Sequence, residues 1–241
     1  MRKFLSLAGK VASVVETAFH VVSSIVPPQE ISLGGGTALE ARWRHRLSTD
    51  LDFFSHGEGT DLTFYEDLDK VVACLKEWES KGVIQLQKDG AFAVRPNSPI
   101  TFHVDGVPIT LTRSKPFDSQ SNEVEKRSGV SLSPVRDILA KKLFHRVWEK
   151  RILTVRDAYD FAVSATQSPE ELRFAWDQLP QHAREVVVHD YGVGVKSNSP
   201  PLLSPQDERL AKNVWEETHR MFFSNLAYTP RYAPQANIHQ K

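Results

Sequence analysis

Two aspartates separated by one leucine, in the segment STDLDFF (48–54), could hold a cation. In a strand, residues i and i+2 point to the same face, so Asp50 and Asp52 would project together while Leu51 and Phe53 turn into the core. Two carboxylates ~5 Å apart repel by roughly 3 kcal/mol at an effective dielectric of ~20. On a partly buried face, that repulsion favours protonation of one group or a bound cation. Oxygen-only ligands select Mg²⁺ or Mn²⁺ over Zn²⁺. Just upstream stand Gly34-Gly35-Gly36-Thr37. A glycine turn entering a helix offers free backbone N–H groups and the positive end of the helix dipole, which suits phosphate oxygens. Gly35, Gly36 and Thr37 are therefore candidates for holding the phosphates of a nucleotide, with Asp50 and Asp52 holding the metal that bridges them. The turn is not a P-loop, because GxxxxGK[ST] is absent, and Leu39 stands where a Rossmann fingerprint needs glycine.

The elements that must position these groups belong to an ordinary globular chain. It has 241 residues, of which 40% are hydrophobic and 25% charged, a balance that excludes a disordered chain. The net charge is +0, so any nucleic-acid contact rests on a local basic patch. The one cysteine, Cys74, excludes an intramolecular disulfide framework and a thiolate metal cluster, and suits a reducing, cytoplasmic compartment. The N-terminus begins with basic then apolar residues, like a targeting segment. Lys10, Glu16 and His20 interrupt it, and Phe4, Leu7, Val11, Val14, Ala18, Val22 and Ile25 recur at helical spacing. A core-packing amphipathic helix is expected, with no membrane span.

Local signals predict a strand over 30–33, a helix over 38–46 capped by Thr37, and a strand over 50–54. A helix over 61–79 follows, then strands at 83–88, 91–95, 100–104 and 107–112. Asp89-Gly90 and Asp105-Gly106 are hairpin signals. Ser133-Pro134 opens a helix to about residue 150, another covers 154–165, and Ser168-Pro169 opens a third. A loop over 192–205, a helix over 206–225 and a mobile tail complete the chain. The fold class is α+β: a mixed sheet with flanking helices (1–115), a helical lobe (116–227) and a tail (228–241).

The stretch GGGTALEARWRHRLSTDLDFF resembles motif I of the AbiEii/AbiGii-type nucleotidyltransferase toxins, within the polymerase-β-like nucleotidyltransferase superfamily. The matching positions include Gly35, Gly36, Thr37, Ala38, Leu39, His45, Arg46, Ser48, Asp50, Leu51, Asp52 and Phe53. The resemblance implies transfer of a nucleoside monophosphate from an NTP to a hydroxyl, with Mg²⁺ or Mn²⁺. It further implies an RNA acceptor such as a tRNA 3′ end, and a toxin role beside a winged-helix antitoxin. It also implies a helical lysine and an Arg-Asp-x-x-Asp element, which are similar to DILAKKLFHR (137–146) and RDAYDF (156–161).

Two lysines compete for that role. Lys141 falls four residues after Asp137, where an exposed ion pair is expected. Lys142 falls at the edge of the apolar face, on one line with Arg146. Two like charges so placed favour an anion between them, so Lys142 is preferred, with Arg146 as a second nucleotide-binding candidate. Asp157 is a candidate for a second acidic role, orienting Lys142 or the acceptor, although first-turn capping also accounts for it. Asp160 shares its face, and Arg156 is expected to pair with Asp160. His45 and His56 read as hydrogen-bonded rather than metal-ligating, and Arg42, Arg44 and Arg46 as RNA contacts or solvated surface.

Superfamily members that use two metals carry a third carboxylate on a later strand, and here Thr110 occupies that place. A catalytically degenerate nucleotide-binding protein is accordingly one alternative, recognised by NTP binding without pyrophosphate release. A transferase acting on a small molecule or a protein hydroxyl is another, and a strong basic patch around the site would argue against it.

Overall fold

The computed structural model describes residues 7–56, 68–86, 98–117, 123–124 and 129–192. Helix α1 (Gly9–Ser23) buries Val11, Val14, Val15, Ala18, Val21 and Val22 along one side, as its periodicity requires. After a 3₁₀ turn at Pro28–Glu30 come β1 (Ile31–Leu33), α2 (Gly35–Trp43), β2 (Leu51–Ser55) and α3 (Leu68–Ser80). Then follow β3 (Ile100–Val104), β4 (Val107–Arg113), and the two-residue strands β5 (Glu123–Val124) and β6 (Ser131–Leu132). Helix α4 (Val135–Lys141) runs into a π-helical stretch, Lys142–Glu149, before α5 (Val155–Gln167), α6 (Pro169–Asp177) and α7 (Gln181–Gly192).

The strands form one mixed sheet in the order β3-β4-β2-β1-β6-β5. The central pair, β2 and β4, is parallel, while β1–β2 and β3–β4 are antiparallel. The β3–β4 hairpin turns on Asp105 and Gly106, with φ of 48° and 73°, the geometry an Asp-Gly pair favours. One sheet face is apolar: Leu51 and Phe53 of β2, with Ile109 and Leu111 of β4, are fully buried. Helix α1 covers that face, Phe19 meeting Phe53 at 6.3 Å between ring centres. The opposite face carries Asp52 and Phe54 together with their ladder neighbours Thr110, Thr112 and Ser32.

The α+β architecture is as expected, with local differences that include the unexpected short strands β5 and β6 and, in place of the strand expected over 83–88, a Gln85–His103 bridge among its described residues. Thr37 is not the cap of α2: the helix starts earlier, at Gly35, with Gly34 as the capping residue. The helix expected from 133 to 150 is split, because its second half widens to π-helical turns. Helix α7 was not expected, and Leu179-Pro180 separates it from α6. The strand expected over 50–54 is shifted by one residue, leaving Asp50 just before β2. The hairpin at Asp89-Gly90, the strand 91–95, the start of the 61–79 helix and everything after 192 lie outside the described residues. No helix among the described residues is long and apolar enough to cross a membrane.

Candidate active site

Each of the three glycines faces a different neighbour, and none has room for a side chain. A Cβ on Gly34 would enter the Phe54 ring and stand 3.2 Å from Ser133 Oγ. One on Gly35 would strike the Asp52 carboxylate, and Gly35 also has φ of +60°, where a Cβ is strained. One on Gly36 would collide with the Arg46 guanidinium. The turn therefore lets α2 begin directly against Asp52, and no side chain caps its first N–H groups. Those groups and the Asp52 carboxylate share one small space. Thr37 is buried and its hydroxyl donates to the Asp50 backbone carbonyl at 2.6 Å, which fixes the segment entering β2. Of Thr37, only the backbone N–H is left for a ligand.

Asp52 is half-buried within β2, and Asp50 is partly exposed one step before it. Burial pushes the Asp52 carboxyl above its ordinary range, and the Asp50 charge pushes in the same direction. Arg146, Lys142 and Arg156 pull it back, in that order, so all three cations lie within its field. The β2–β4 register sets Thr110 directly beside Asp52. Among the described residues no group of three or more His, Cys, Asp or Glu side chains could hold a metal. Two carboxylates under mutual repulsion fit one hard cation that draws its remaining ligands from a substrate's oxygens.

The segment from Lys142 to Asp160 brings the second half of the site. Lys142 is buried and its ammonium donates to Asp157 Oδ1 at 2.6 Å, while Asp160 Oδ2 lies 3.1 Å away. Arg146 reaches the same Asp157 carboxylate at 3.1 Å and remains half-exposed. A π-helical stretch at this position carries both cations on one side, and such turns recur at functional sites. Thr154 caps the helix and braces Asp157: Thr154 Oγ1 accepts the Asp157 N–H at 3.1 Å, and its hydroxyl donates to Asp157 Oδ2 at 2.6 Å. Burial would raise the Asp157 carboxyl, but Lys142 and Arg146 outweigh it and hold it below its ordinary range.

Asp160 is fully buried and joins the two halves of the site. The Arg46 guanidinium grips it through Nε at 2.6 Å and Nη2 at 2.8 Å, and His45 Nε2 lies 2.7 Å from it. Against the cost of burial, Arg46 and then Lys142 hold the carboxyl well below the carboxylate range. The Tyr159 hydroxyl completes the clasp by donating to the His45 carbonyl at 3.1 Å.

The structure corrects three sequence expectations. Arg156 does not pair with Asp160; it lies 3.5 Å from Asp50 and bonds Thr49, because Arg46 already occupies Asp160. Arg46 is neither a solvated cation nor positioned for RNA, being 2% exposed. Lys141 does form the expected i,i+4 pair with Asp137, at 2.7 Å, but inside the protein rather than on its surface. Sequence reading missed Glu40 altogether. Its buried carboxylate accepts from the N–H groups of Ala8 and Ser48, at 3.0 and 2.6 Å, pinning the loop that leads to Asp50. Nothing in its spacing distinguished it from a surface glutamate.

Comparison with known proteins gives a family. No curated protein matches the chain. Among solved structures, a candidate nucleotidyltransferase from H. pylori is similar at 19% identity, covering 89% of this chain and 94% of that one, with a TM-score of 0.49. JHP933 from Helicobacter pylori is similar at 18% identity, covering 90% and 92%, with a TM-score of 0.48. The family described as "Nucleotidyl transferase AbiEii toxin, Type IV TA system" matches residues 26–236, and the chain therefore belongs to the AbiEii nucleotidyltransferase toxin family.

Proposed function

We propose that this nucleotidyltransferase moves a nucleoside monophosphate from an NTP to a hydroxyl of RNA, most naturally the 3′ end of a tRNA. It would act in the cytoplasm as the toxin of a pair whose antitoxin is a winged-helix protein. The observation that carries the reading is the Asp52 carboxylate set against Gly35, at the uncapped start of α2. A phosphate cradle and a metal-binding acid are thus adjacent. Gly35, Gly36 and the Thr37 N–H would take the triphosphate oxygens. Asp50 and Asp52 would hold Mg²⁺ or Mn²⁺, which supplies charge neutralisation at the phosphates when bound.

Four carboxylates (Asp50, Asp52, Asp157, Asp160) here face four cations (Arg46, Lys142, Arg146, Arg156), a formal balance of zero. A triphosphate adds several negative charges, and this balance is the physical reason to expect a divalent cation to arrive with it. Lys142 and Arg146 stabilise charge on the phosphates, and Asp157 orients Lys142. The acceptor oxygen forms a bond to the α-phosphorus, the bond to the β-phosphate oxygen breaks, pyrophosphate leaves, and the hydroxyl proton is released.

The test is incubation with each α-labelled NTP, Mg²⁺ and total RNA. Label is expected in an RNA band with release of pyrophosphate. Label confined to free nucleotide, with NTP bound but no pyrophosphate, would favour the degenerate alternative, for which Thr110 beside Asp52 is the specific motive. Label on protein or a small molecule would move the acceptor.

Gly35→Ala is expected to separate chemistry from folding. A residue with a side chain at this φ costs about 1–2 kcal/mol, and the new methyl displaces the Asp52 carboxylate. Melting should fall modestly while transfer falls to background. A variant with wild-type transfer would show that Asp52 does not need its present position.

A further inference from the structure

Lys141 is absorbed by none of the foregoing roles. It is 8% exposed, and its amine lies 4.2 Å above the centre of the Phe54 ring. Asp137 Oδ2 is 2.7 Å from it and pairs with it inside the protein. Asp137 is anchored elsewhere, through Oδ1, which accepts the Phe117 N–H at 2.6 Å. An ammonium has three donors, and the one carboxylate oxygen beside this buried amine satisfies only part of that capacity, so a further anionic acceptor would be favoured. Burial lowers its proton affinity, partly restored by Asp137, and its charge in turn helps depress His56.

The location says which acceptor. Phe54 and Asp52 are two residues apart on one face of β2, about 7 Å along the strand. The Phe54 ring lies against Gly34, the capping residue of α2. The amine therefore stands over the ring that borders the glycine turn, on the face that carries Asp52. Lys142 is different: its amine is already held by Asp157 and Asp160.

We propose that Lys141 is a second phosphate-binding residue, donating to the anionic tail of the bound NTP from the Phe54 side of the glycine turn. The inference rests on the nucleotidyltransfer reading above, and it makes Lys141 a contact common to all four NTPs, since it meets phosphate rather than base. Lys142 then fixes the Asp157 side of the site, and the two neighbouring lysines divide the work.

Removing Lys141 alone would strand the Asp137 charge, so the informative variant is Lys141→Met with Asp137→Asn. The asparagine oxygen still accepts from Phe117, and no buried charge is left unpaired. Calorimetric binding of each NTP with Mg²⁺ should weaken by about tenfold or more, by a similar factor for all four, with melting close to wild type. In the transfer assay KM should rise more than kcat falls. Wild-type affinity in the double variant would overturn the inference alone, leaving Lys141 as a counter-ion of Asp137. Absence of NTP binding by the wild type would instead overturn the nucleotidyltransfer reading and this inference with it. A second measurement uses unaltered protein and a nucleoside polyphosphate bearing a terminal pyridoxal aldehyde, fixed by borohydride. Peptide mapping should find the adduct on Lys141; an adduct on Lys142 without Lys141 would contradict the proposal even if the double variant failed to fold.

Discussion

Asp52→Asn should abolish nucleotide transfer while leaving the protein as stable as before, or slightly more so. The side chain keeps its size but loses the charge that a cation would need, and removing one preorganised electrostatic contact of this kind lowers rates by about a hundredfold to a thousandfold. The stability half of the expectation follows from a sign. Burial and Asp50 raise the Asp52 carboxyl in the folded state. A group whose folded proton affinity exceeds its unfolded one costs stability once both forms are ionised, and the cost disappears as pH falls. Asparagine removes that cost at neutral pH. Label transfer and thermal melting on the same preparation check both halves. A clear drop in melting temperature would mean that Asp52 is held by its cations as a structural ion pair. Retained transfer would end its metal assignment.

Asp160→Ala is expected to do the reverse, damaging the fold before the chemistry. The carboxylate is fully buried, gripped by Arg46 and His45 and within 3.1 Å of Lys142. Its removal strands a guanidinium that is itself 2% exposed, and breaking a buried pair in this way costs about 3–5 kcal/mol. Chemical denaturation should show the loss as a lower midpoint with an unchanged slope. The same pair predicts the acid limit of the protein. Asp157 and Asp160 both have folded carboxyls held below the unfolded value of about 3.9. Their stabilisation is fully present above that value and is lost as pH falls through the folded one, so it should disappear only under strongly acid conditions. In the Asp160→Ala protein that acid-labile part should shrink. A loss of less than about 1 kcal/mol would show that the clasp between α5 and the segment carrying His45 and Arg46 is not held by this carboxylate.

Much of this arrangement was visible in the chain because it is local. Glycines before a helix, an Asp-x-Asp strand, an Asp-Gly hairpin and helical apolar spacing all act within a few residues. Gly34 to Gly36, Asp52 and the β3–β4 turn followed from them. The long-range partners did not. Arg46 and Asp160 are 114 positions apart, and nothing in either neighbourhood names the other. Arg156 was assigned to Asp160 because the two share a helix, yet Arg46 had the better geometry and displaced it toward Asp50. Lys141 shows a different limit. An i,i+4 pair reads the same on a surface and in an interior, and only the packing of Phe54 and Phe117 around it reveals the difference. The two-residue strands β5 and β6 escaped because so short a segment has no period to detect.

If the α-phosphoryl group of an NTP, with its nucleoside, is what this site passes on, one paired labelling reaction will show it. The wild-type protein is incubated with Mg²⁺, RNA and the NTP it prefers, labelled in one reaction at the α-phosphate and in the other at the γ-phosphate. Nucleotidyl transfer places the α-label on RNA and releases the γ-label as pyrophosphate in equal amount. Appearance of the γ-label on the acceptor, with nucleoside diphosphate left behind, would mean phosphoryl transfer and would contradict the account.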